Sequence, residues 1–165
     1  RAENIQWLDH KYLGYNYRMD EMSAALGLAQ LARINRLIKE RQKLAKLYND
    51  YLNRFSDLIQ IPATAYFNTH TWFVYVAEIK KKNINRDEII EQLKRAGISS
   101  KPYLPSIHLF DFYQKKFGYK KGDFPVSENI SQYSLALPFY IGLKKKDVKH
   151  IVNKLINILK KYSPR

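Results

Sequence analysis

Apolar positions recur at helical spacing in several stretches of the chain and crowd together in one. Val148, Ile151, Val152, Leu155, Ile158, Leu159 and Tyr162 form one stripe with a 3.6-residue period, with Asp147 in the first turn, and predict a closing helix. Ile89, Ile90, Leu93 and Ala96 predict a shorter amphipathic helix. Asn85 is its N-cap, Glu88 is placed to complete a capping box, and Gly97 stands at C′. Ile34, Ile38, Ala45, Tyr48, Leu52 and Phe55 also keep helical spacing. With Asp20 as a cap, they predict a helical region from about Asp20 to Arg54, either as one helix or as two with a kink near Arg33. Residues 72–79 are aromatic and β-branched, and they predict a strand buried on both faces at the centre of a sheet. Weaker signals predict a strand over 98–103 interrupted by Pro102, helices within 107–117 and 125–133, and a strand over 134–137 stopped by Pro138.

The predicted fold class is α+β. An irregular lead-in (1–17) and a long helical arm fill residues 1–56, and a small sheet covered by helices fills 57–165. The start of the arm is rich in small side chains: Ser23, Ala24, Ala25, Gly27 and Ala29. Small side chains let another backbone approach closely, so this stretch is expected to pack against a large surface such as a partner subunit.

Composition narrows the function classes. The 165 residues suit one ordinary domain with enough apolar material for a core. Cysteine is absent, which excludes disulfides, thiolate metal sites and a cysteine nucleophile. The longest apolar run is too short to span a bilayer, and no secretory signal opens the chain, so a cytoplasmic protein without a membrane partner is expected. The first residue is Arg1 rather than Met, which suggests processing or a start inside a longer reading frame. The net charge of +14 raises nucleic acid as a partner. However, 20 of the 29 cations are lysines, in short runs such as 80–82 and 144–146 at turns and helix ends. That is the pattern of a solvated surface, and nucleic acid is not the expected ligand.

No phosphate-cradling glycine loop, nucleophile elbow or metal-spaced cluster is present, so no metal is expected. His10, His70, His108 and His150 are scattered. His108 closes the segment Lys101-Pro102-Tyr103-Leu104-Pro105-Ser106-Ile107-His108, whose two prolines fix the backbone. It reads either as a functional histidine or as one that only caps the next helix. The segment Gly14-Tyr15-Asn16-Tyr17-Arg18-Met19 places an amide and a guanidinium just before a helix N-terminus. It reads either as a donor set for a phosphate or as a packed aromatic loop whose Arg18 meets a carboxylate.

These two segments also carry a resemblance. Residues 13–31, beginning Leu13-Gly14-Tyr15-Asn16-Tyr17-Arg18-Met19-Asp20-Glu21, resemble the stretch that follows the cofactor-lysine region in DegT/DnrJ/StrS sugar aminotransferases. Pro102 through Leu109 is similar to that family's later P-x-x-H segment. Gly122-Asp123-Phe124-Pro125-Val126-Ser127-Glu128, Leu135-Ala136-Leu137-Pro138 and residues 72–75 are similar in the right order, so the resemblance covers essentially the whole chain. It implies the small C-terminal domain of a fold-type I, pyridoxal 5′-phosphate (PLP) dependent aminotransferase. Such enzymes move an amino group from glutamate to a nucleotide-linked keto sugar in amino-sugar and polysaccharide biosynthesis, and they work as dimers.

By the same resemblance, Asn16 and Arg18 reach the PLP phosphate of the neighbouring subunit, and His108 faces the sugar. Tyr15, Tyr17 and Tyr103 are weaker candidates for lining the pocket. The resemblance also implies a large domain, carrying the cofactor lysine, that normally precedes these motifs. None of the lysines here stands in that context, so no catalytic residue is expected in this chain, and inactivity alone is expected. The alternatives are a stand-alone dimerisation or interaction module, or a basic nucleic-acid binder.

Overall fold

A computed structural model describes residues 12–81 and 83–162 of the chain. Most of the lead-in, including His10, lies outside the described residues. The fold divides into two compact units, residues 1–35 and 36–165.

The first unit holds α1 (Glu21–Leu31). Asp20 caps it as the sequence predicts: Oδ1 accepts from the Ser23 backbone N–H at 2.9 Å, and Oδ2 accepts from the Ser23 hydroxyl at 2.7 Å. No residue of α1 is buried, and Met22, Leu26, Leu28 and Leu31 are all more than half exposed.

Helix α2 (Ile34–Leu52) follows a two-residue break, so the helical region is two helices. Its stripe Leu44, Ala45, Tyr48 and Leu52 enters the core of the second unit. The remaining elements are β1 (Ile59–Gln60), β2 (Tyr75–Ile79), α3 (Arg86–Arg95), β3 (Lys101–Pro102), α4 (Asp111–Phe117), α5 (Pro125–Tyr133), β4 (Ser134–Leu137) and α6 (Lys145–Lys160). The four strands form one antiparallel sheet in the order β1-β2-β4-β3, with Tyr75 opposite Leu137 and Ala77 opposite Leu135.

The closing helix is as predicted. Seven side chains of α6 are buried, from Val148 to Leu159. Each contributes about 1.5–3 kcal/mol of transfer free energy, which offsets a backbone ordering cost of about 1–2 kcal/mol per residue. Helix α3 starts on Asn85, whose Oδ1 accepts from the Asp87 backbone N–H at 2.9 Å. It ends on Gly97 in the left-handed region at φ 77°, where a side chain would be strained. Glu88 does not complete a capping box; its Oε2 accepts from the Tyr162 hydroxyl at 3.3 Å.

Two strand expectations are corrected. Strand β2 starts at Tyr75 rather than at Trp72, because Trp72 adopts φ 54°, outside any extended conformation, and Phe73 is exposed. It is also not buried on both faces. Tyr75, Ala77 and Ile79 are buried, whereas Val76 and Glu78 are half-buried on the side that meets α5. The strand expected over 98–103 shrinks to Lys101 and Pro102, since proline has no N–H to extend the ladder.

An aromatic cluster joins α2 to the sheet. Tyr48 stacks on Tyr75 with ring centroids 4.7 Å apart, and Trp72 stacks on Tyr75 at 5.8 Å. The Tyr48 hydroxyl donates to the Pro138 carbonyl at 2.7 Å, and the Tyr75 hydroxyl donates to Asn49 Oδ1 at 2.6 Å. Burial raises the pKa of both phenols.

Candidate functional site

The chain carries two candidate sites, one in each unit. In the first unit residues 12–20, which lead into α1, form no helix or strand and are exposed, and Arg18 takes a positive φ of 24°. Arg18 Nε donates to Asn16 Oδ1 at 2.9 Å, and the rings of Tyr15 and Tyr17 lie 5.3 Å apart. Arg18 meets the amide two residues back rather than a carboxylate. Asp20, the carboxylate nearest in sequence, is taken up by Ser23. Because Asn16 accepts through Oδ1, its Nδ2 remains a donor, and so do the terminal nitrogens of Arg18. An exposed amide and guanidinium tied together in this way suit a phosphate, which accepts at several oxygens.

In the second unit, a 3-10 turn (Ile107–Leu109) lies between β3 and α4 and holds His108. Its ring is 8% exposed, low for a group expected to meet solvent or a ligand directly. Phe124 and Tyr119 flank it, with centroids at 4.8 and 6.4 Å. His108 Nε2 lies 2.9 Å from Glu128 Oε1 on α5. Ser106 Oγ and Ser127 Oγ, 3.2 Å apart, join the same loop to the same helix a second time. His108 is therefore anchored by tertiary contacts and is more than a local helix cap.

Glu128 is the site residue that the sequence reading missed. It lies inside a quoted motif segment but was given no role, and it is twenty positions from its partner. The available signal was local: a carboxylate in the first turn of a helix that opens on Pro125 and has no side-chain cap at Phe124. The carboxylate reaches back to accept from the backbone N–H of Gly122 at 2.8 Å and of Phe124 at 3.4 Å. These bonds, the Gly122 bond foremost, and the neighbouring His108 outweigh desolvation and hold its pKa below the ordinary glutamate value.

His108 lies on the wall of an open groove of about 1060 Å³, lined by Ile107, Tyr113, Phe117, Phe124, Val126 and Ile130 among others. Tyr103 is not among the lining residues. It is half-buried, and its carbonyl accepts from the Ser134 hydroxyl. Among the described residues, no group of histidines and carboxylates is placed to hold a metal ion, and no helix is long and apolar enough to cross a membrane.

Residues 1–156 match the profile of the DegT/DnrJ/EryC1/StrS aminotransferase family. The chain belongs to this family. It is 33% identical over 150 residues to the spore coat polysaccharide biosynthesis protein SpsC of Bacillus subtilis, covering 89% of this chain and 38% of that protein. It is 28% identical to a GDP-perosamine synthase of Vibrio cholerae, covering 90% of this chain and 40% of that enzyme. A crystal structure of a family member from Brucella abortus superposes with a TM-score of 0.75 at 30% identity, covering 92% of this chain and 39% of that one. The chain thus spans about 40% of the length of the relatives it matches. The small α+β domain expected from the sequence is the corresponding C-terminal portion of these aminotransferases.

Proposed function

We propose that this chain is the C-terminal part of a PLP-dependent aminotransferase. The enzyme moves an amino group from glutamate to a nucleotide-linked keto sugar in the cytoplasm, on the way to a polysaccharide or another amino-sugar product. The observation that carries the proposal is the family match over residues 1–156 in a chain that spans only about 40% of its relatives. A GDP-perosamine synthase among those relatives supports a nucleotide-sugar substrate. Bound PLP supplies the electron sink for amino-group transfer. Asn16 Nδ2 and the Arg18 guanidinium bind the cofactor phosphate of a neighbouring subunit, and Tyr15 and Tyr17 flank it. His108 orients the sugar from the groove wall. Tyr103 supports that wall through its backbone rather than contacting substrate.

The cofactor-binding lysine is supplied from outside this chain. Such a lysine is desolvated so that its amine is neutral and nucleophilic, whereas every described lysine is exposed or half-exposed. The chain alone therefore does not turn over, and its working form is a homodimer or an assembly with the part that carries the large domain. The exposed apolar side chains of α1 and its small residues supply a surface for that assembly.

The test joins this chain to the large domain of the family and measures PLP affinity. Asn16→Ala and Arg18→Ala are each expected to weaken cofactor binding about tenfold or more, the loss of a charge-assisted bond of about 1.5–3 kcal/mol. Unchanged affinity in both variants would sink the assigned role.

A further inference from the structure

Oε1 of Glu128 lies within hydrogen-bonding distance of three groups: the Gly122 N–H at 2.8 Å, the Phe124 N–H at 3.4 Å and His108 Nε2 at 2.9 Å. A backbone N–H can only donate, so this oxygen is an acceptor toward the loop. The carboxyl is also held in its ionised form, first of all by the Gly122 bond. An ionised carboxylate has no proton to give, so Nε2 must bring the proton of the third bond. A neutral imidazole carries one N–H, and placing it at Nε2 leaves Nδ1 with a bare lone pair. Nδ1 has no hydrogen-bond partner among the described residues, and it is not among the buried polar atoms left unpaired.

We propose that Glu128 is a positioning residue that fixes His108 as the Nε2–H tautomer and reserves Nδ1 as an acceptor for a hydroxyl donated by a ligand in the adjoining groove. The chemistry follows from the pairing. A histidine held this way recognises an O–H or N–H donor, such as a sugar hydroxyl, and does not offer a proton to a carbonyl or phosphate oxygen at neutral charge. Phe124 against the ring and the Ser106–Ser127 contact restrict rotation, so the carboxylate sets orientation as well as tautomer. The tautomer follows from the hydrogen bonds of Glu128 whatever the chain binds; the sugar hydroxyl as its ligand rests on the proposed function.

The test is two-bond proton–nitrogen NMR correlation on the full chain with 15N-labelled histidine, recorded at a pH where the nitrogen shifts themselves report a neutral ring. The wild type is expected to give a single His108 tautomer with Nε2 protonated. Glu128→Gln is expected to keep it, because the two backbone donors hold the carboxamide oxygen in the same place. Glu128→Leu is expected to release it to a mixture. A protonated Nδ1 in the wild type overturns the proposal even if the leucine variant does not fold. So does an unchanged tautomer ratio in a folded leucine variant. Titration with UDP-N-acetylglucosamine, after the chain is joined to the large domain, then separates the two layers. A moved Nδ1 resonance supports the acceptor role. A fixed tautomer with an unmoved Nδ1 overturns the ligand half and the sugar-facing reading of His108, while the role of Glu128 stands.

Discussion

Arg86 is expected to be the most consequential charged side chain for stability in the second unit. It is the first residue of α3, yet its Nη1 donates both hydrogens elsewhere: to the Ser131 carbonyl at 3.1 Å and to the Ser134 carbonyl at 2.8 Å. These carbonyls lie at the C-terminal end of α5 and the start of β4, where the helix leaves acceptors unpaired. The same guanidinium meets Asp87 at 2.6 Å, but Asp87 is 71% exposed, so that pair contributes only about 0–1 kcal/mol. The Arg86 side chain itself is 12% exposed. Two bonds from a charged donor contribute about 3–6 kcal/mol if simply added. Because they share one nitrogen and water can partly replace them, Arg86→Met is expected to cost about 2–4 kcal/mol. Methionine keeps much of the apolar stem, which isolates the lost donors. Arg86→Lys is expected to recover less than half, since an ammonium on a flexible stem does not hold the planar fork. Urea unfolding with an unchanged m-value reads the difference as a shift in midpoint. A methionine variant within about 0.5 kcal/mol of wild type, or full rescue by lysine, would refute the reasoning.

Two further predictions concern the groove. Because the Glu128 carboxyl is depressed below its ordinary value of 4.5, the stability it contributes is present above that value and is lost as pH falls through the lower folded-state value. Glu128→Gln should therefore flatten the acid limb of the unfolding midpoint measured against pH, and an unchanged limb would contradict this. In the chain joined to the large domain of a family member, His108→Ala should slow the sugar half-reaction more than the glutamate half-reaction when each is followed in single turnovers. Equal losses would count against a sugar-facing histidine.

Much of the fold was legible where the signal is local. The stripe of α6, the Asn85 and Gly97 boundaries of α3, the Asp20 cap and the short strand before Pro138 each rest on residues within a few positions of one another. What could not be read depends on tertiary contact. The hydrogen bonds of Arg86 join residues 45 and 48 positions apart, and nothing periodic marks them. Trp72 delays the start of the strand to Tyr75 through a backbone angle that an aromatic, β-branched stretch argues against. His108 stood out because two prolines precede it closely, whereas Glu128 looked like an ordinary charge in a first helical turn until α5 packed beside the 3-10 turn. Asn16 and Arg18 were picked as a pair and do meet, but through each other rather than through a carboxylate.

The central claim is that this chain carries phosphate and substrate contacts while the cofactor-binding lysine comes from elsewhere. The most direct test is to titrate the purified chain with PLP, follow the visible absorbance, reduce with borohydride and search every lysine by mass spectrometry. The account predicts no saturable absorbance change and no stoichiometric label on any one of the 20 lysines. A single lysine labelled to completion at saturation would mean that the chain builds its own cofactor site, and would contradict the claim.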